Sequence, residues 1–554
     1  MKIEATLAMS LLCAALFARE PVRARHAMVV AQEPHATDVG VAVLKAGGNA
    51  VDAAVAVGFA LAVTHPTAGN IGGGGFMLVR MADGRTTFID FREQAPAAAS
   101  HDMYLDANKK PTRESVVGWR APGVPGSVRG FEYAHKKFGR KSWAALLDPA
   151  ITLAADGFPL SYASAESLRS GSNSFKLLSQ FPASSKIFLG HQAGDNFTQP
   201  ELATTLKRIR EQGAHDFYEG ETAQRLAAAM KANGGLITLE DLKNYKVAER
   251  KPLTGSYHGY NIITAPPPSS GGIGMLQMFG MLEGSGYEKS GAGSAAAIHY
   301  VAECERRFYA DRSEFMGDPD FFKNPLRQLL DPAYIASRRA TIDPHHATSS
   351  DQVKPGNINL HESSETTHYN VVDAEGNAVA VTYTLNGGYG CGVTAPGLGF
   401  LLNNEMDDFA AKPGEPNMFG LVQGEANAIQ PGKRPLSSMT PTIVMKDGKL
   451  FMVIGAPGGG RIITGVMEVF LNVVDFHMNP QDADDWPRFH HQWRPDVLYV
   501  ERGTSPDTIA VLKQMGHTVE PAVGGVARVE VIVLENGWLQ GASDGRGNGK
   551  AAGY

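Results

Sequence analysis

The pattern of the chain changes at Thr366. Upstream, most segments repeat at helical spacing: Thr37 to Ala46, Ala50 to Val63, a mainly helical stretch from about Ser127 to Tyr245, Ile273 to Leu282 and Ala296 to Asp311. Downstream, the runs alternate. Thr367 to Val372 and Ala378 to Thr384 flank Asp373-Ala374-Glu375-Gly376-Asn377, and Thr440 to Met445 and Lys449 to Ile454 flank Lys446-Asp447-Gly448. Period-two runs joined by short Asn/Asp/Gly connections predict β-hairpins. Strands grouped with helices before and between them predict layered α/β packing. Ala50 to Val63 has Asp52 as its only charge, and a helix apolar all round is buried all round. Asn49 suits its N-cap after the Gly47-Gly48 stop. Gly72 to Gly75 precede the strand-like run Phe76 to Arg80. A phosphate loop follows a strand and opens a helix, so these glycines predict close backbone packing instead of nucleotide binding.

The 554 residues give a soft expectation of three or four domains, but no linker demands a division. With 43% hydrophobic and 19% charged residues, a large core is affordable. A net charge of −6 argues against nucleic acid as the main partner. Cys13, Cys304 and Cys391 form no CxxC, zinc spacing or disulfide framework, and the last two read as buried thiols. The apolar run Ala5 to Ala18 is too short to span a bilayer as a helix. It fits a secretory signal, which predicts residues 1–18 as a signal peptide and a periplasmic or secreted protein. No other segment reads as a membrane span. Arg339 to Glu365, with Pro344, Pro355 and Gly356, reads as a mobile loop.

Thr366 stands where that polar stretch ends and the first alternating strand begins. A threonine hydroxyl is a poor nucleophile without a base, and one solution is to make the threonine N-terminal, so that its own α-amine is the base. For an isolated Thr-Thr pair, an ordinary strand threonine is the commoner account. The surroundings reverse this. Thr366-Thr367-His368-Tyr369 is followed by Thr384-Leu385-Asn386, by Leu401 to Phe409 with Asn403-Asn404-Glu405-Met406-Asp407-Asp408, and by Arg434-Pro435-Leu436-Ser437-Ser438-Met439. Gly455-Ala456-Pro457-Gly458-Gly459 and Pro487 to Trp493 come next, while Gly47 to Ala54 and Asp90-Phe91-Arg92-Glu93 lie upstream. In this order, from about Val29 to Tyr554, the segments resemble the γ-glutamyltranspeptidases, a family of N-terminal-nucleophile hydrolases.

The resemblance implies a four-layer αββα sandwich, an α/β (α+β) fold whose single core is built from two fragments. It implies cleavage between Glu365 and Thr366, giving a heavy subunit of residues 19–365 and a light subunit of residues 366–554 that stay together as a heterodimer. Thr366 would then attack the γ-amide of glutathione or another γ-glutamyl compound, and water or an amino acid or dipeptide acceptor would resolve the acyl-enzyme. Thr384 would hydrogen-bond the Thr366 hydroxyl. Arg92, Ser437 and Ser438 would hold the substrate α-carboxylate, and Asn386, Glu405 and Asp408 its α-ammonium. Gly458 and Gly459 would supply the oxyanion N–H donors. Pro413 to Gly420 resembles a lid, with Phe419 where such lids often have tyrosine, and Glu405 stands where many bacterial relatives have glutamine. No metal or organic cofactor is expected; His490-His491 reads as structural, since neighbours on a strand face opposite sides. Two rivals remain: a cephalosporin (glutaryl) acylase or poly-γ-glutamate hydrolase of the same superfamily, and an unprocessed γ-glutamyl-binding protein.

Overall fold

The computed structural model describes residues 19–355, 366–413, 418 and 424–554. The expected signal peptide, Glu365 and Phe419 therefore lie outside the described residues. Two seven-stranded antiparallel sheets form the centre. The first runs in the order Lys550–Gly553, Met28–Ala31, Thr367–Val372, Ala378–Thr384, Gly74–Arg80, Thr86–Asp90 and Ala248–Arg250. The second runs Val22–Ala24, Trp538–Ser543, Glu530–Glu535, Lys449–Gly455, Thr442–Lys446, Tyr260–Thr264 and Leu253–Tyr257. Each sheet interleaves strands from both sides of residue 365. A chain whose sheets are shared in this way does not divide into domains by length.

Both predicted hairpins form, the first with Thr367 opposite Tyr383 and Val372 opposite Ala378. Thr367–Val372 and Ala378–Thr384 are buried at every position, because alternate side chains serve different layers. Val379, Val381 and Tyr383 enter the cluster beneath the helices Pro34–Lys45, Ala50–Thr64, Ser127–Phe138 and Trp143–Asp156. Ala378 and Ala380 enter the cluster shared with the second sheet and the helices Gly271–Leu282, Ala295–Phe315 and Arg461–Val474. The result is helices, sheet, sheet, helices.

All fifteen residues of Ala50–Thr64 are buried, and Asn49 and Asp52 form a capping box. Asp52 also accepts from Arg140 N at 2.9 Å, and Ala50 N donates to Asp373 Oδ2 at 2.8 Å, tying the helix start to the first hairpin. The helix expected over Ala296 to Asp311 runs from Ala295 to Phe315 and is not amphipathic in the usual sense: Arg306, Arg307 and Arg312 are buried with its apolar residues. Ion pairing makes this tolerable, since Glu303 accepts from Arg306 at 3.0 Å and from Arg307 at 2.6 Å. Among the described residues, no helix is long and apolar enough to cross a membrane.

Candidate active site

The hairpin register carries one step past its last pair. Thr367 faces Tyr383, so Thr366 comes opposite Thr384, which in turn pairs with Gly74 on the next strand. Both threonines are buried. Thr384 Oγ1 accepts from Asn386 N at 2.8 Å, and its carbonyl accepts from Asn70 Nδ2, also at 2.8 Å. The glycine run lets this carbonyl come close: a Cβ on Gly73 would lie 1.9 Å from Thr384 O. The close-packing expectation for Gly72 to Gly75 holds: a Cβ on Gly72 would also meet Leu401 O at 2.1 Å, one on Gly74 Phe91 O at 2.4 Å and one on Gly75 Thr382 O at 2.4 Å.

The second sheet brings the glycine turn. Gly455 ends its strand directly over His368, whose ring a Cβ there would meet at 2.2 Å. The chain then passes through Gly458 (φ 136°) and Gly459 (φ 60°) into the helix Arg461–Val474. Such φ values favour glycine. Among the described residues, neither glycine N–H donates to a protein acceptor, so both are available at a helix N-terminus.

One strand beyond Thr384, Gly74 lies against the Glu93 carboxylate, and Gly75 exchanges backbone hydrogen bonds with Phe91. This places Arg92. Its buried guanidinium bonds to Glu405 and Asp408, and it donates to Leu436 O at 3.1 Å and Pro435 O at 3.3 Å. Glu93 lies 3.9 Å from it. Three carboxyl groups thus converge on one guanidinium. Both Glu93 oxygens, Glu405 Oε2 and Asp408 Oδ1 lack a donor among the described residues, other than a proton shared between carboxyls. Burial pushes Glu93 up to about 7 against the pull of Arg92, and burial also drives Glu405 well above the carboxylate range.

Ser437 is held by its backbone: its N–H donates to Pro268 O at 2.8 Å, and its carbonyl accepts from Ser270 N at 2.7 Å. Ser438 O accepts from Thr440 Oγ1 at 2.7 Å. Asn386 has φ 71° and donates through Nδ2 to Asn404 O at 3.0 Å. Arg92, Glu405, Asp408 and the Ser437 segment are therefore contiguous, and Asn386 joins them through Asn404, the residue before Glu405. His368 bonds Thr382 and Asn370, while His490 bonds Thr464 and Gln492; burial lowers both to about 3. His299, Glu303 and His517 are close enough to suggest a metal site. However, His299 and His517 hydrogen-bond each other at 2.8 Å and Glu303 is occupied by two arginines.

Sequence reasoning gave no role to several neighbours. Asn403 Oδ1 accepts from Glu405 N, and Asn404 Oδ1 accepts from Gly387 N, so this pair shapes the loop that carries Glu405. Arg312 donates to Ser270 Oγ at 2.8 Å behind Ser437. Asp407 accepts from Ser115 Oγ at 2.8 Å, and burial pushes it up to about 7. Asn403 and Asn404 adjoin Glu405 in sequence and were findable; Arg312 and Ser115 carry no local signal.

Two antiparallel sheets between helical layers, with a threonine at the head of a central strand, define the αββα sandwich of N-terminal-nucleophile hydrolases. A cephalosporin acylase from Bacillus halodurans superposes with a TM-score of 0.85 at 26% identity, over 97% of each chain. A Helicobacter pylori gamma-glutamyltranspeptidase chain gives a TM-score of 0.57 at 45% identity, over 58% of this chain and 94% of that one. The Gamma-glutamyltranspeptidase family model matches residues 36–554. A glutathione hydrolase proenzyme of Escherichia coli (strain K12) is 50% identical over 531 residues, covering 95% of this chain and 91% of its own. The chain belongs to the γ-glutamyltranspeptidase family.

Proposed function

We propose that the chain is a γ-glutamyltransferase and glutathione hydrolase that matures by cutting itself between Glu365 and Thr366. The Thr366 hydroxyl attacks the Glu365 carbonyl, the acyl group moves from nitrogen to oxygen, and water hydrolyses the ester. Residues 19–365 and 366–554 remain joined as heavy and light subunits, because each sheet contains strands of both. The freed α-amine then takes the Thr366 hydroxyl proton as the oxygen attacks the γ-carbonyl of a γ-glutamyl donor. The C–N bond breaks, the departing amine takes up the proton, and an ester is left on Thr366. Water or an amino acid or dipeptide amine attacks that ester and returns the hydroxyl.

Thr384, across from Thr366, orients the hydroxyl, and Gly458 and Gly459 N–H donors receive the oxyanion. Each such donor contributes about 3–4 kcal/mol in comparable sites. Arg92, Ser437 and Ser438 take the α-carboxylate; Asn386, Glu405 and Asp408 take the α-ammonium. Phe419 belongs to the lid. Residues 1–18 act as a signal peptide for export, making the enzyme periplasmic or secreted.

The observation that carries this reading is the excess of carboxyl groups around Arg92, with acceptors lacking donors. An α-ammonium supplies three donors for those acceptors. A glutaryl group would add a carboxylate and no ammonium, which disfavours the glutaryl-acylase alternative. The test is intact mass and N-terminal sequencing of the wild type beside Thr366→Ala, followed by glutathione turnover. A fragment beginning Thr-Thr-His-Tyr, absent from the variant, with glutamate released by the wild type, is expected. An uncut chain that binds glutathione without releasing glutamate would leave a binding protein instead.

A further inference from the structure

A groove of about 890 Å³ opens beside the loop that carries Asn386. Gly387 and Asn404 line one end of it, and these are the residues bonded to each other at 2.8 Å next to Asn386. Val117 and Leu177 give it an apolar wall, and Arg113 and Lys176 stand on it as exposed cations. Among the described residues, neither cation has an ion-pair or side-chain hydrogen-bond partner. The groove's acid does not serve them: Glu114 pairs with Arg120 at 3.4 Å. The groove is therefore positively biased, while the Arg92 cluster on the other side of Asn404 is rich in carboxyls.

We infer that this groove binds the amine partner of the reaction, and that Arg113 and Lys176 read its carboxylate. The inference rests on the γ-glutamyl reading above. The amine that leaves a γ-glutamyl peptide and the amine that replaces it occupy the same place relative to the ester, because one step is the reverse of the other. A zwitterionic amino acid or dipeptide delivers its amine toward the ester and must place its carboxylate elsewhere. The two cations, which have no side-chain partner among the described residues, attract it. Arg113 and Lys176 are thus specificity-determining residues for carboxylate-bearing amines, and they touch neither Thr366 nor the γ-glutamyl head.

The test uses the mature enzyme with γ-glutamyl-p-nitroanilide, whose leaving group has no carboxylate, and compares glycylglycine with glycylglycinamide as acceptors. In an Arg113→Ala/Lys176→Ala variant, the KM for glycylglycine should rise roughly five- to tenfold, as expected for two partly exposed charge interactions. The KM for the amide and the rate of p-nitroaniline release without acceptor should stay within about twofold. Added salt should weaken glycylglycine use by the wild type and not by the variant, because exposed charge interactions are screened. Equal use of both acceptors by the wild type, or an equal decline for both in the variant, overturns the inference while leaving the γ-glutamyl reading standing. A mature wild type that releases no p-nitroaniline removes that reading, and the inference with it.

Discussion

Gly73→Ala tests whether the carbonyl of Thr384 is where catalysis needs it. Gly73 sits at a junction: its N–H donates to Asn70 Oδ1 at 2.9 Å, and its carbonyl accepts from Gly126 N at 2.8 Å. Asn70 in turn holds Thr384 O. The new methyl would lie 1.9 Å from Thr384 O and 2.8 Å from Asn70 Oδ1. Ordinary contact needs about 3.5 Å, so one backbone must retreat by more than about 1 Å. Overpacking of this kind costs about 1–3 kcal/mol, which a large core tolerates. A displacement of about 1 Å at a reacting group costs on the order of 100-fold in rate. The variant should therefore fold, yet process and turn over about 100-fold more slowly. Gly84→Ala is the control. Gly84 has φ +91° with nothing within 4 Å of a Cβ, so it bears strain of about 1–2 kcal/mol without touching the site. Fragment formation on denaturing gels, γ-glutamyl turnover and thermal unfolding would be compared for both. If Gly73→Ala matures and turns over like Gly84→Ala, the position of Thr384 does not limit the chemistry and the reasoning fails.

Arg92→Lys keeps the charge but removes the fork that reaches Glu405, Asp408 and Leu436 O together. A charge-assisted hydrogen bond contributes about 1.5–3 kcal/mol, so its removal should raise the donor KM roughly 10- to 150-fold, read from initial rates. An unchanged KM would remove Arg92 from donor binding. Asp407→Asn addresses pH. Burial raises the Asp407 carboxyl to about 7, so the folded state keeps its proton where the unfolded chain has released it. Its contribution to stability is therefore lost as pH rises from about 4 to about 7. Asparagine removes that dependence, so the variant should match the wild type near pH 4 and melt about 4 °C higher near pH 7.5 by scanning calorimetry. A constant offset at all pH values would refute the assignment.

The elements and part of the site were legible in the residues. Period-two runs located both hairpins, and the uniform apolarity of Ala50 to Val63 gave a helix buried on every side. Thr366 and Thr384 lie in one hairpin, so a short turn and its register make them opposite, and local backbone geometry suffices. Gly458 and Gly459 entered through the family resemblance, and the helix that follows them, Arg461–Val474, was not read from the sequence. The charge cluster was not legible in this way. Arg92 and Glu405 are far apart in the chain, and no local pattern reveals that they bond or that Glu93 and Asp408 crowd the same guanidinium. The helix Ala295–Phe315 was legible by its spacing, but the burial of Arg306 and Arg307 was not, because their pairing with Glu303 and Asp496 comes from packing. The sequence by itself determined the strands, helices and hairpin that carry the two threonines, since these depend on propensity and spacing over a few residues. Only the tertiary structure decided which charges share a desolvated space, because burial and long-range proximity set both their pairing and their proton affinity.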